Sequence, residues 1–165
     1  MNRDAVSLVV ATQDRFARLL EGQAPLPRIG PPVGDIAPQP VLAMLAGLAA
    51  EIETQFAPAV WLIVRGGRVA GLCSLVKVPA GGRLTIGYGT AAGDEGSGVA
   101  TRAVGELAEW ARHDRRVDWL AADTAVGNIA SQRVLERNGF SRCGTRHDDE
   151  DGDLICWELA VGGTP

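Results

Sequence analysis

Lysine is almost missing from this chain: Lys77 is the only one among 165 residues. A P-loop ends in Gly-Lys-Ser/Thr, so that phosphate cradle is excluded. No run of eighteen or more apolar residues exists, which excludes a helical membrane span. The opening Met1-Asn2-Arg3-Asp4 lacks the basic region, long apolar run and small-residue cleavage site of a secretory signal, so a cytoplasmic location is expected. Only three cysteines (Cys73, Cys143, Cys156) and two histidines (His113, His147) occur, none in a C-x-x-C or zinc-ligand spacing. Reduced thiols and no metal are therefore expected. Net charge is −4, which argues against the clustered basic face of a nucleic-acid binder. The local cluster Arg112, Arg115 and Arg116 reads as a solvated helix end, where cations suit the dipole. The carboxylates between His147 and Asp153 lack the twelve-residue EF-hand spacing and read as a charged hairpin tip, with contact to a cationic substrate as the functional alternative.

What is present is enough apolar residue, 46%, to build the core of one domain over residues 1–165. Residues 5–11 read as a strand, and Thr12 caps a short helix carrying Phe16, Leu19 and Leu20 and stopped by Gly22. Residues 22–40 hold six of the nine prolines, so they form one long connection. Val41, Met44, Leu45, Leu48, Ile52 and Phe56 recur at steps of three and four, predicting a helix over 41–56. Three strands follow at 61–64, 69–78 and 84–88, separated by Gly66-Gly67 and Gly81-Gly82, each a hairpin signal. Then come a helix over 98–112, a buried-type strand over 117–122, a helix after Asn128, and a last hairpin of 140–146 and 154–159 around Asp151-Gly152. The order β-α-α-β-β-β-α-β-α-β-β predicts an α/β (α+β) fold with helices on a mixed, mostly antiparallel sheet of about seven strands.

Two segments carry chemistry. Residues 93–101 read G-D-E-G-S-G-V-A-T between a strand and a helix. Glycine there permits a sharp turn and close approach of a ligand to the backbone. The first amides of the following helix have no internal partner, and the helix dipole adds positive potential, so an anionic phosphate suits the spot. A dinucleotide fingerprint fits poorly, because its sixth position is Thr101 and the preceding strands form a meander. A simple turn is the structural alternative. Residues 128–140 read N-I-A-S-Q-R-V-L-E-R-N-G-F. Asn128 suits the N-cap, and Gly139 suits the left-handed residue that ends a helix.

Taken together these residues resemble the GCN5-related N-acetyltransferase (GNAT) superfamily. Its cofactor loop, Gln/Arg-x-x-Gly-x-Gly/Ala, is matched by Glu95-Gly96-Ser97-Gly98-Val99-Ala100 at Gly98 and Ala100. The form N-x-x-S-x-R-V-L-E-x-x-G-F is similar to the branch of ribosomal-protein N-terminal acetyltransferases, and Ile86-Gly87-Tyr88-Gly89 looks like the family's fourth strand. The specific motifs span residues 86–140.

The resemblance implies acetyl-CoA as cosubstrate, an amine as acceptor, and acyl transfer by direct attack in a ternary complex. Pyrophosphate would sit on the amides of Gly96, Ser97, Gly98, Val99, Ala100 and Thr101, beside Glu95. Pantetheine would lie along Tyr88, Gly89 and Thr90, where the fourth and fifth strands splay. Asn128 and Ser131 would line the opposite wall, near the thiol end. A backbone amide of the fourth strand would hold the developing oxyanion. Two departures stand out. Glu95 and Ser97 occupy positions where the family carries basic or neutral partners, so weaker CoA binding is expected. Leu135 occupies the place of the family's frequent general-acid tyrosine. Ser131 is then the candidate donor to the leaving thiolate, its structural alternative being a bond to the Asn128 backbone. Tyr88 is the other donor, its alternative a strand aromatic packed on the core. Asp123, expected just past the fifth strand, is the candidate base, or else a surface or capping carboxylate. A non-catalytic module that binds CoA or a partner is the competing reading. A homodimer is left open; nucleic acid and membrane are not expected partners.

Overall fold

The computed structural model describes residues 4–162. Seven strands form one sheet in the order β1-β2-β3-β4-β5-β7-β6. In chain order the elements are β1 (Val6–Val10), α1 (Gln13–Leu20), α2 (Gln39–Ile52), β2 (Val60–Arg65), β3 (Arg68–Leu75), β4 (Arg83–Thr90), α3 (Val99–Arg112), β5 (Trp119–Ala125), α4 (Ile129–Arg137), β6 (Ser141–Asp148) and β7 (Gly152–Ala160), with one 3-10 turn, Ala92–Asp94, before α3. The mixed, mostly antiparallel sheet expected from the element order is what the chain forms. Every neighbouring pair is antiparallel except β4 and β5.

That parallel pair positions everything that follows. It holds only three residue pairs, Arg83↔Trp119, Leu84↔Leu120 and Thr85↔Ala121. Beyond them β4 stays bonded to β3 as far as Gly71↔Thr90, and β5 stays bonded to β7 as far as Ala125↔Leu154. The two strands therefore part like the arms of a V. The core lies beneath the sheet and between the sheet and its helices: Leu62, Ile63, Leu84, Leu107, Leu120 and Leu135 are fully buried.

The bounds of α2, β3 and β5 depart from the sequence expectation. Helix α2 starts at Gln39, not 41, because proline fits the first turn, where its missing donor costs nothing. It ends at Ile52, whose carbonyl accepts from both Gln55 and Phe56 in a closing turn, so Phe56 is buried outside the helix. The expected face is also corrected: Leu42, Ala49 and Ile52 are buried, whereas Val41 and Met44 are exposed. The helix is apolar nearly all round, so periodicity alone could not choose the side that packs. Strand β3 ends at Leu75 rather than 78, and β5 runs 119–125 rather than 117–122. Asp123 thus lies inside β5, not past its end.

Candidate functional site

The V between β4 and β5 leaves backbone groups without sheet partners. The Thr85 carbonyl accepts from Val76, and the Ala91 amide donates to Ala70, so both point at β3. Strand alternation then turns the amides and carbonyls of Tyr88 and Thr90 the other way, into the gap, past the last rung of the β4–β5 ladder at Thr85↔Ala121. These are donors and acceptors in search of an extended partner.

Beyond β4 the chain reaches the glycine-rich turn. Gly96 (φ +71°) and Gly98 (φ +79°) are left-handed, and a Cβ at either would meet nothing within 4 Å. Their role is therefore backbone shape and an open approach, not clearance of a protein neighbour. Gly98 caps α3 without a side-chain bond, and the helix ladder begins with the Arg102 amide on the Gly98 carbonyl. The amides of Val99, Ala100 and Thr101 are left free at the positive end of a fourteen-residue helix.

The turn is held from behind. Asp94, with no exposed side-chain surface, accepts from Arg68 Nη2 at 2.9 Å and Arg65 Nη1 at 3.4 Å, both from the β2–β3 hairpin. The Ser97 hydroxyl donates to the Asp94 carbonyl. That bond turns Ser97 inward, so it does not line the cleft.

The opposite wall is α4. Asn128 Oδ1 accepts from the Ser131 amide at 3.1 Å, the cap expected of an asparagine here. The Ser131 hydroxyl is not spent on the Asn128 backbone. It lies 2.7 Å from the Tyr88 hydroxyl, which also donates to the Ser131 carbonyl at 3.2 Å. The two donor candidates, 43 residues apart in sequence, are one hydrogen-bonded pair. Burial first, and then the Cys73 thiol across the β3–β4 ladder, raise the Tyr88 pKa above the ordinary phenol value, while the Ser131 bond opposes them. The phenol therefore stays protonated at neutral pH. Leu135 is fully buried and faces the core rather than this cleft.

Together these walls enclose a cavity of about 570 Å³. Of the residues expected to hold a cosubstrate, Tyr88, Gly89, Thr90, Glu95, Gly96, Gly98, Val99, Ala100, Thr101, Asn128 and Ser131 line it, and Ser97 does not. Sequence reasoning missed Asp94, Ala130, Val134 and two arginines, Arg133 and Arg137. Their signal was available: with Asn128 as cap, positions 130, 133, 134 and 137 share one face of α4. Asp123 lies outside the cavity lining. Its Oδ2 accepts from Arg146 Nη2 at 2.7 Å and Nε at 3.2 Å. At the β6–β7 tip, Asp148 accepts from the Glu150 and Asp151 amides and His147 bonds Asp153, so several of those side chains order the turn itself. Among the described residues no group of three or more His, Cys, Asp or Glu is placed to hold a metal ion, and no helix is long and apolar enough to cross a membrane.

A splayed sheet with an amide-lined helix start at its opening defines an α/β protein built around an anion-accepting cleft. The family follows from comparison with known proteins. The model described as the Acetyltransferase (GNAT) domain matches residues 11–141, and the chain belongs to that family. It is similar to the "Probable N-acetyltransferase YjcK" of Bacillus subtilis (strain 168), 33% identical over 79 residues, which is 47% of this chain. The match spans 44% of that relative's own length. The fold is shared with the solved ribosomal L7/L12 alpha-N-protein acetyltransferase RimL in complex with coenzyme A, at a TM-score of 0.72, 16% identity and 94% coverage of each chain. It is shared with AAC(6')-Ib in complex with ribostamycin and coenzyme A, at 0.68 and 22% identity over 95% of this chain and 94% of that one. The microcin C7 self-immunity acetyltransferase MccE, in complex with acetyl-CoA and AMP, scores 0.71 at 15% identity over 96% of this chain and 93% of that one.

Proposed function

We propose that this protein is an N-acetyltransferase that moves an acetyl group from acetyl-CoA to a primary amine on a small molecule or a protein N-terminus. The observation that carries the reading is the junction of unpaired β4 backbone with the free amides of α3 in one cavity. An extended pantetheine amide chain pairs with the first, and a pyrophosphate with the second. The open space over Gly96 and Gly98 fits the close approach that such a group requires.

In this reading the amides of Gly96 to Thr101 take the pyrophosphate, and the gap-facing groups of Tyr88 and Thr90 take the pantetheine. The Tyr88 amide is a fixed donor for charge developing on the thioester oxygen. The amine attacks the carbonyl carbon directly, and the C–S bond breaks as the C–N bond forms. Ser131 gives its proton to the departing thiolate and is refilled by Tyr88. The amine's own proton leaves to water, with Asp123 kept as the candidate carboxylate base. The N-x-x-S-x-R-V-L-E-x-x-G-F form favours the ribosomal-protein branch. One observation favours the competing reading of a CoA-binding module without catalysis: Glu95 lies in the cavity where a favourable partner is expected.

Calorimetric titration with acetyl-CoA, followed by thiol release against a panel of amines and N-terminal peptides, tests the proposal. Binding with thiol release supports the enzyme. Binding without release on any amine supports the module, and no binding at millimolar acetyl-CoA sinks both. Glu95→Arg should tighten acetyl-CoA about tenfold, the worth of one well-placed charge at a partly screened site.

A further inference from the structure

Two of the three cysteines meet at an irregularity in the β6–β7 ladder. The register runs Ser141↔Glu158 and Arg142↔Trp157, then jumps to Gly144↔Cys156. Cys143 is the extra residue of a bulge, so it and Gly144 together oppose Cys156. Arg83 shows which way Cys143 points. Its Nη1 donates to Glu158 at 2.9 Å, and its Nη2 lies 4.0 Å from the Cys143 sulfur. Glu158 and Cys156 are two residues apart on β7 and so share a face. Cys143 and Cys156 therefore project from the same face of adjacent strands. Opposed residues of an antiparallel pair hold their Cα atoms about 4.5–5.5 Å apart, and a disulfide takes Cα separations of about 4.4–6.8 Å.

The two thiols differ in setting. Cys143 is exposed, with a guanidinium against it, the surroundings in which thiols react as nucleophiles. Cys156 is half-buried and stands opposite Asp123 on β5. Burial first, and then the Asp123 carboxylate, push the Cys156 thiol above its ordinary value, so it stays protonated at neutral pH. Cys143 is thus the thiol that meets an oxidant first, and Cys156 the one placed to resolve it. Cys73 takes no part: it is fully buried on β3, with β4 and β5 between it and β7. Neither Cys143 nor Cys156 lines the donor cavity, and acyl transfer as proposed above gives neither a role.

We infer that Cys143 and Cys156 are a reversible oxidation site for hydrogen peroxide, closing to a disulfide across the bulge. The Cys143 thiolate attacks one peroxide oxygen and the O–O bond breaks. Cys143 becomes a sulfenic acid, and the departing hydroxide takes up a proton as water. The Cys156 sulfur then attacks the Cys143 sulfur. The S–S bond forms as the S–O bond breaks, and the Cys156 proton leaves with the hydroxyl group as a second water. Two thiols lose two electrons, the peroxide gains them, and a dithiol reductant reverses the change. The link ties β6, an edge strand exposed along nearly its whole length, covalently to β7, its one neighbour in the sheet.

Peroxide treatment of folded wild type, Cys143→Ser and Cys156→Ser, followed by quenching and thiol counting in urea, tests the site. Wild type should fall from three thiols to one, lose the mass of two hydrogens and regain all three thiols with dithiothreitol. Trypsin cuts at Arg146 between the two cysteines, so the bond should appear as a joined peptide pair. Cys156→Ser should stop at a Cys143 sulfenic acid that dimedone captures. Cys143→Ser should lose thiol about tenfold more slowly than wild type. Far-UV spectra that match wild type keep the comparison one of folded proteins. Wild type that carries Cys143 on to sulfinic acid while Cys156 stays a thiol, or that links only between chains, overturns the pair. So does loss of thiol from Cys143→Ser at the wild-type rate. The assay contains no acetyl-CoA, so its outcome is independent of the acyl-transfer reading.

Discussion

Replacing Tyr88 with Phe and Ser131 with Ala, singly and together, dissects the proton source. The 2.7 Å contact joins the two hydroxyls, so either change breaks the same bond. One such bond contributes about 1 kcal/mol net, and for a chain of this size that lowers the thermal midpoint by about 2–4 °C. Tyr88→Phe also loses the bond to the Ser131 carbonyl, so its stability should fall further than that of Ser131→Ala, and that of the double variant no further than that of Tyr88→Phe. Rate should not follow stability. Loss of a positioned acid lowers turnover by about 10²-fold, equivalent to about 2.7 kcal/mol of barrier. If the two act as a relay, Tyr88→Phe and Ser131→Ala each cause most of that loss, and the double variant is no worse than the poorer single one. Stopped-flow thiol release at saturating acetyl-CoA gives the turnover number directly. The pH profile adds a second readout, because burial raises the Tyr88 pKa and keeps its O–H intact past the ordinary phenol range. The alkaline limb of kcat should therefore lie above pH ~10 in wild type. Turnover within threefold of wild type in Tyr88→Phe would refute a role for the phenol, and the same result in Ser131→Ala would remove the serine.

Three further outcomes follow from the structure. Burial pushes the Cys73 thiol up to about 12 from an ordinary 9.0, so the folded state keeps a proton that the unfolded chain releases. The associated stability is fully present below pH ~9 and drains at about 1.4 kcal/mol per unit as pH rises towards 12; unfolding free energies from urea titrations at pH 8 and 10.5 should differ by about 2 kcal/mol more in wild type than in Cys73→Ala. Asp94→Asn should cost on the order of 3 kcal/mol, because it removes the buried carboxylate that pairs Arg68, while Arg65 keeps Asp4. The same change should raise KM for acetyl-CoA more than it lowers kcat, and an unchanged KM would mean that the clasp does not hold the turn. Gly71→Ala places a methyl 2.2 Å from the Gly89 carbonyl oxygen and 3.0 Å from Thr90 Cα, so β4 must shift where the donor would lie. A lower thermal midpoint and a several-fold higher KM are expected, and steady-state kinetics at fixed amine would show whether the strand position matters.

Much of this molecule was legible without a structure, because its signals are local. Gly-Gly pairs mark the hairpins of β2–β4, the prolines mark the long connection, and Asn128 and Gly139 bracket α4. Motif spacing was enough to place the glycine turn before a helix and to name eleven residues that line the cavity. Where signals compete, local reading failed. An all-apolar α2 gives no face to choose, and the end of β5 depends on its ladder with β7 rather than on its own residues.

The amino-acid order alone determined the element sequence, the family motifs and the unusual acidity at Glu95. Only the tertiary structure decided what those residues meet. It ended the β4–β5 pairing after Thr85, brought Tyr88 to Ser131, turned Ser97 away, clasped Asp94 and set two arginines along the cleft. The reason is range. Caps, turns and helical periodicity act over a few residues and are written in adjacent letters. The splay of two strands and the docking of α4 on α3 arise from contacts between segments dozens of residues apart, and those exist only once the chain has packed.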